Sequence, residues 1–211
     1  MFLDKSISEV LHHRYFNTLS SAFFVLLYLN FIFNHLSAIR DGEISPTVLI
    51  FVAMETTVVI MLILRPNPKK RAATFWPWFF AIFGTFLPLT LSPLGVTTNA
   101  FVGETLVLLG GTMAIASYLS LNTSHGTTPA LRNVKTKGMY TFVRHPMYLS
   151  YIVLFVGYLN ISLSPLNLAV IVTTIFCLTQ RIRYEEKILF QSPDYVAFAK
   201  KTQYRLFPFL Y

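Results

Sequence analysis

Two groups of residues in this sequence have types and spacing that could do chemistry. The first is KGMYTFVRHPMYLSY, residues 137–151, where Lys137, Arg144 and His145 stand among tyrosines at the mouth of an apolar run. Pro146 suits the first position of a helix, because the N–H it lacks would be unpaired there anyway. The residue before a proline is pushed toward extended geometry, so His145 is expected at the cap. The N–H groups of Met147, Tyr148 and Leu149 are then expected to be unpaired at the positive end of the helix dipole, as an anion site. Arg144 adds a planar fork of donors suited to a carboxylate or phosphate, Gly138 allows a tight turn, and Tyr140 offers a ring for stacking. The second group is RIRYEEKIL, residues 181–189. Arg181 and Glu185 are four apart and share a helix face, whereas Arg183 and Glu186 are expected to point elsewhere. Such a pair can hold one anionic and one cationic ligand group side by side. The plainer readings are a headgroup anchor for the first group and a surface ion pair, worth under about 1 kcal/mol, for the second.

The elements that would position these residues are membrane helices. The chain has 211 residues, of which 54% are hydrophobic and 12% charged; soluble domains carry about a quarter charged residues. Apolar runs lie at 15–39, 47–64, 74–91, 100–121, 146–160 and 166–180. A span takes about 20 residues, so the first four qualify. The last two are short and are read as a helical hairpin turning at NISLSP, with the second arm running on past the membrane. The fold class is thus all-α: a polytopic transmembrane bundle of about six segments with a small cytoplasmic cap. A single domain is expected over 1–211, with N-terminal helices to 121 and the chemistry-bearing core at 122–211.

Lys and Arg fix the orientation. Arg65, Lys69, Lys70 and Arg71 follow the second run, Arg132, Lys135, Lys137 and Arg144 follow the fourth, and Arg181, Arg183, Lys187, Lys200, Lys201 and Arg205 follow the sixth. The opposite loops hold only Arg40, beside Asp41 and Glu43. By the positive-inside rule both termini and the cap are cytoplasmic. This places the chain in a bacterial inner membrane, or in the endoplasmic reticulum of a eukaryote. The net charge of +8 then reflects topology and anionic-lipid contact, and no nucleic acid is expected. Lys5, Glu9 and Arg14 precede the first run without a cleavage site after it, so no cleavable signal is expected. Cys177 is the single cysteine, which leaves no disulfide or cysteine cluster. His12 and His13 lack a partner at metal spacing, and no metal site is expected. Glu55, near the middle of the second run, is either bonded to a neighbouring helix or lines a lipid entrance. Glu104 reads as interfacial, and Trp76, Trp78, Tyr15 and Tyr211 as an aromatic belt.

The pattern G-x-Y-x-x-x-R-H-P-x-Y (Gly138, Tyr140, Arg144, His145, Pro146, Tyr148), followed by R-x-x-x-E-E-x-x-L (Arg181, Glu185, Glu186, Leu189), resembles the isoprenylcysteine carboxyl methyltransferase family. The related phospholipid N-methyltransferases share the layout. Tyr195, Arg205 and Pro208 in the tail fit as well, and the resemblance covers about residues 120–211. Ser150 stands where many members have glycine, Phe198 where a tyrosine is common, and FQSPDY replaces the usual Phe-Gly before the tyrosine. The resemblance implies S-adenosylmethionine bound without a Rossmann domain, and the sequence has no G-x-G-x-x-G after a strand. It implies cofactor contacts from His125, Arg132, Asn133, Val134, Lys135, Tyr140, His145, Pro146, Met147, Tyr148 and Glu185. It implies catalytic roles for Arg181 and Glu185, with Arg181, Arg144 and Glu55 on the side of a lipid or lipid-modified substrate entering from the bilayer.

Methyl transfer from a sulfonium is an in-line displacement that needs alignment. A carboxylate acceptor is already anionic, and Arg181 would orient it. An amine acceptor must first lose a proton, for which Glu185, Glu186 or His145 is a candidate. Two other readings share parts of the pattern. Membrane sterol reductases carry a similar RH-x-x-Y and YRLFP tail but use NADPH. A non-catalytic membrane protein could also keep the fold.

Overall fold

The computed structural model describes residues 14–42, 45–72 and 74–208. Lys5, Glu9, His12, His13, Glu43 and Tyr211 lie outside the described residues, as does the side chain of Tyr15. Seven α-helices follow one another among the described residues: α1 Arg14–Arg40, α2 Pro46–Leu64, α3 Phe75–Phe86, α4 Ala100–Leu121, α5 Pro146–Ile161, α6 Pro165–Leu189 and α7 Pro193–Lys201. Their starts are written in the sequence. Ser45 and Ser164 each cap a helix by accepting from the N–H three residues on (Val48, 3.2 Å; Asn167, 3.1 Å) ahead of a proline at the first position. Asn99 caps α4 in the same way through Val102 at 3.1 Å.

Three helices are long and apolar enough to cross a membrane: Pro46–Leu64, Ala100–Ser124 and Pro165–Leu189. The apolar parts Ser21–Ser37, Phe75–Thr90 and Pro146–Ile161 are shorter. The third run therefore falls short of the span expected of it. Its α-helix stops at Phe86 and passes into a 3₁₀ turn, Leu87–Thr90, because Pro88 has no N–H to continue the ladder. The sixth run continues beyond its apolar part as expected, since Arg181 to Leu189 extend the same 25-residue helix. Most of the described residues are helical. The strands among them form a two-residue antiparallel ladder, β1 Lys70–Arg71 against β2 Ala130–Leu131, with Arg71 opposite Ala130.

The expected hairpin of α5 and α6 is contiguous in sequence, but its arms splay. α5 packs along α4, while α6 packs on α3. The α4–α5 contact is backbone on backbone: a Cβ on Gly110 would lie 2.6 Å from the Leu154 nitrogen, and one on Gly157 would lie 2.7 Å from that of Val107. Small residues permit such approach between membrane helices. The hairpin turn is held by Asn167, fully buried, whose amide donates to the carbonyls of Ser92 and Ser162 (2.8 Å each) and accepts from the Ser92 N–H at 2.9 Å. Large apolar side chains such as Phe23, Phe33, Phe101 and Val172 point outward, as expected of a surface whose solvent is hydrocarbon. Trp76 is exposed, consistent with a belt. Trp78 instead donates to the Ala72 carbonyl (2.8 Å) and lies under the Arg71 guanidinium. Glu104 is exposed near the start of α4.

Candidate active site

Splaying α5 from α6 leaves room between them, and the basic end of the bundle closes over it. The 137–145 turn starts with Gly138 at φ +64°, where a side chain would also strike the Ser120 hydroxyl. That hydroxyl accepts from the Met139 N–H at 3.2 Å. The far end of the turn is clamped by the chain's tail, since the N–H groups of Arg144 and His145 donate to the carbonyls of Tyr204 and Arg205, 2.9 Å each. Tyr140, Tyr195 and Phe198 form a small buried cluster beneath it.

Glu186, which points away from the Arg181–Glu185 face as expected, ties these parts together. Its Oε1 lies 3.1 Å from Arg144 Nε and 3.3 Å from both His145 Nε2 and the Tyr195 hydroxyl, and its Oε2 accepts from Arg205 Nε at 2.7 Å. Arg144 pairs with Glu186 and lines the polar cavity described below, and it is not in the lining of the apolar one. Pro146 is buried at the start of α5 and lines neither cavity described below. The helix N-terminus is not an open anion site either. The Tyr148 and Leu149 N–H groups both donate to the His145 carbonyl, at 3.1 and 3.2 Å.

Two cavities meet in the bundle. The first, about 750 Å³, is lined by His125, Arg132, Asn133, Val134, Lys135, Tyr140, Arg144, His145, Met147, Tyr148 and Glu185. Every residue expected at the cofactor except Pro146 is thus on its wall. Leu121, Ser124, Gly126, Ala130, Leu189, Tyr195 and Phe198 complete it. Phe198 has no hydroxyl, so the wall is less polar there than a tyrosine would make it. The second cavity, about 870 Å³, lies deeper and is mostly apolar. Tyr28, Phe51, Met54, Val58, Tyr118, Tyr151, Leu154, Phe155 and Leu178 surround it, with Glu55 and Arg181 as its charged groups. The two linings share only His125, Met147 and Tyr148.

Arg181 and Glu185 straddle this partition. Arg181 lines the apolar cavity and Glu185 the polar one, and Arg181 Nε donates to Glu185 Oε1 at 3.0 Å. The Tyr148 hydroxyl donates to the same oxygen at 2.7 Å. Arg181 also donates to Thr85 Oγ1 (3.1 Å) and the Gly126 carbonyl (3.0 Å), and lies 5.4 Å above the Tyr148 ring. The pair is no solvent-exposed salt bridge: the arginine side chain is only 5% exposed. Glu55 is bonded to His35 Nδ1 of α1 at 3.1 Å, the first of its two expected readings, and it also lines the apolar cavity. Nothing in the residue pattern pointed to His35, which stacks on Phe51. The hydroxyls of Tyr118 and Tyr151 pair with each other at the same wall.

His125 is 4% exposed, and its Nδ1 has no partner. Burial first, then the charges of Arg181, Arg65 and Arg132, pull its pKa down to about 3 from an ordinary 6.5. The folded ring is neutral, so between those values the unfolded chain binds a proton that the folded chain refuses. Its share of stability is complete above pH ~6.5 and is lost as pH falls, by up to about 1.4 kcal/mol per pH unit. Melting temperature in detergent should therefore fall more steeply from about pH 7 to about pH 5 in the wild type than in His125→Asn. Equal slopes would mean that His125 is charged inside the fold.

Comparison with known families bears on the same residues. Residues 105–191 match the model of the Isoprenylcysteine carboxyl methyltransferase (ICMT) family. That segment is an ICMT-family segment. It contains the 137–151 turn, the shared partition, Arg181, Glu185 and Glu186, while α1 to α3 and the clamping tail lie outside it. The ICMT family is one of membrane methyltransferases, and the long apolar helices agree with an integral membrane protein. No curated protein matches the chain. Among the described residues no group of three or more His, Cys, Asp or Glu side chains could hold a metal ion.

Proposed function

We propose that this protein is an S-adenosylmethionine-dependent methyltransferase acting on a lipid-borne acceptor that enters from the bilayer. The observation that carries the reading is the pair of cavities, one polar and one apolar, meeting at His125, Met147 and Tyr148. The polar cavity fits the cofactor. The rings of Tyr140 and His145 offer stacking faces, and Glu185 Oε2 and His125 Nδ1 are polar atoms without a protein partner among the described residues. Glu185 would take the cofactor's amino group or ribose, and Asn133, Val134 and Lys135 its nucleoside. When bound, S-adenosylmethionine supplies the methyl group on a sulfonium.

The chain's own residues supply position and dryness. Tyr148 and Arg181 fix Glu185 from one side, leaving its other oxygen for the ligand. Met147 and Tyr148 are buried and keep water from the partition. Three of the five N–H donors of Arg181 are committed to protein acceptors, which leaves two to orient an acceptor carboxylate. Acceptance by an amine rests on one observation of its own, the Glu55 carboxylate in the same wall. The orientation read from Lys and Arg puts the polar cavity on the cytoplasmic side.

The test is thermal stability in detergent with S-adenosylhomocysteine, with NADPH or with neither, for the wild type and Glu185→Ala. At about 100 times its dissociation constant a ligand adds about 2.7 kcal/mol. Stabilisation by S-adenosylhomocysteine that is lost in Glu185→Ala is the expected result. A response to NADPH alone would replace the reading with a reductase.

A further inference from the structure

Three tyrosines from three helices stand in the wall of the apolar cavity: Tyr28 of α1, Tyr118 of α4 and Tyr151 of α5. Tyr151 is three residues from Tyr148 and so shares its side of α5, and the Tyr148 ring lies under the Arg181 guanidinium at 5.4 Å. The hydroxyls of Tyr118 and Tyr151 pair with each other, and the Tyr118 ring meets His125 edge-on, 4.9 Å between centroids. The three hydroxyls lie within electrostatic reach of one another and of Arg181.

A buried tyrosine O–H ordinarily finds a partner. Within the Tyr118–Tyr151 pair one hydroxyl donates and the other keeps its hydrogen, while the Tyr28 hydroxyl has no hydrogen bond among the described residues. Two O–H donors are thus left without an acceptor in a mostly apolar wall, beside the two N–H donors that Arg181 has spare. Such a group of donors matches an anion. A carboxylate accepts at about four lone-pair sites, whereas an ammonium group brings only more donors, and the arginine repels it. We propose that Tyr28, Tyr118 and Tyr151 are specificity-determining residues for the acceptor, donating to the oxygens of a lipid carboxylate that Arg181 orients. The inference rests on the proposed function and narrows its acceptor. Because Tyr28 lies outside residues 105–191, the choice of acceptor is made partly outside the segment shared with the family.

The test is binding to the full-length protein in detergent, read as a shift in melting temperature. The probes are N-acetyl-S-farnesylcysteine, its carboxamide, farnesylamine and S-adenosylhomocysteine, each added alone. The wild type is compared with Tyr118→Phe/Tyr151→Phe, which keeps both rings and touches no residue of the polar cavity's lining. The acid is expected to stabilise the wild type by several degrees, and the carboxamide and the amine much less. The double variant should bind the acid about tenfold or more weakly, the scale of a hydrogen bond to a charged group. It should keep its response to S-adenosylhomocysteine and lose most of its preference for acid over carboxamide. The acid binding equally well to both proteins, an equal loss for acid and carboxamide, or a wild type that prefers the amine or ignores the acid would each overturn the inference. A wild type that ignores S-adenosylhomocysteine strikes the proposed function instead, and the acid and carboxamide still decide the role of the tyrosines. Should the double variant fail to fold, Tyr28→Phe repeats the comparison with the same expected loss, since its hydroxyl has no protein partner to forfeit.

Discussion

Glu186→Ala is expected to lower the stability of the folded protein by about 3–5 kcal/mol, the cost of breaking a buried ion pair by removing one partner. The carboxylate is 4% exposed, and the groups it leaves behind are Arg144 at 10% and His145 at 6%. Water reaches neither easily, so the Arg144 charge and the hydrogen-bonding needs of both go unmet. Arg205 is 36% exposed and recovers more of its solvation, so Arg205→Ala should cost well under half as much. Glu186→Gln keeps the shape and some hydrogen bonds while removing the charge, and falls between. Unfolding by graded denaturant in detergent measures all three. A loss below about 1 kcal/mol in Glu186→Ala would show that the turn and the tail hold together through their backbone bonds alone. The same variant should also lose ligand response at the polar cavity, because Arg144, His145 and Tyr195 line that cavity and all three contact Glu186.

Arg181→Met is expected to reduce kcat/KM for a lipid carboxylate acceptor by about 10²–10³-fold, the range for removing one well-placed donor to reacting charge. The substitution also frees Thr85 and the Gly126 carbonyl, so a loss of folding has to be separated from a loss of orientation. Stabilisation by S-adenosylhomocysteine makes the separation: it should survive in Arg181→Met, because Tyr148 still donates to Glu185. Arg181→Lys keeps the charge without the fork and should recover only part of the rate. If the variant transfers methyl groups to a carboxylate lipid at the wild-type rate, the acceptor is not held by this arginine. An amine acceptor would show the reverse pattern, with the larger loss on Glu55→Gln.

Local rules carried the sequence reading a long way. Helix starts at Pro46, Pro146 and Pro165 follow from proline's missing donor, and the Arg181–Glu185 contact follows from four-residue spacing. Most residues expected at the cofactor lie in one contiguous stretch, so the turn that positions one positions the others. Contacts between distant segments were not legible. Glu186 is one residue from Glu185, and helical spacing turns it away from Arg181, yet its partners come from 41 residues before it and 19 after. The expected anion site at α5 is largely closed for a local reason, since the His145 carbonyl takes the Tyr148 and Leu149 N–H groups. His35 and Glu55 meet only because α1 and α2 pack side by side, and the splay of α5 from α6 depends on glycines that read as ordinary in an apolar run.

Under the proposed function, the partition of His125, Met147 and Tyr148 would separate two kinds of traffic. A molecule bound for the polar cavity arrives by diffusion through a volume, and its supply is counted as a concentration. A molecule bound for the apolar cavity arrives by diffusion in a plane, and its supply is counted as a fraction of the surrounding lipid. With separate chambers, neither visitor needs the other to depart before it can arrive or leave. Diluting the membrane with inert lipid would then starve one chamber and leave the filling of the other untouched.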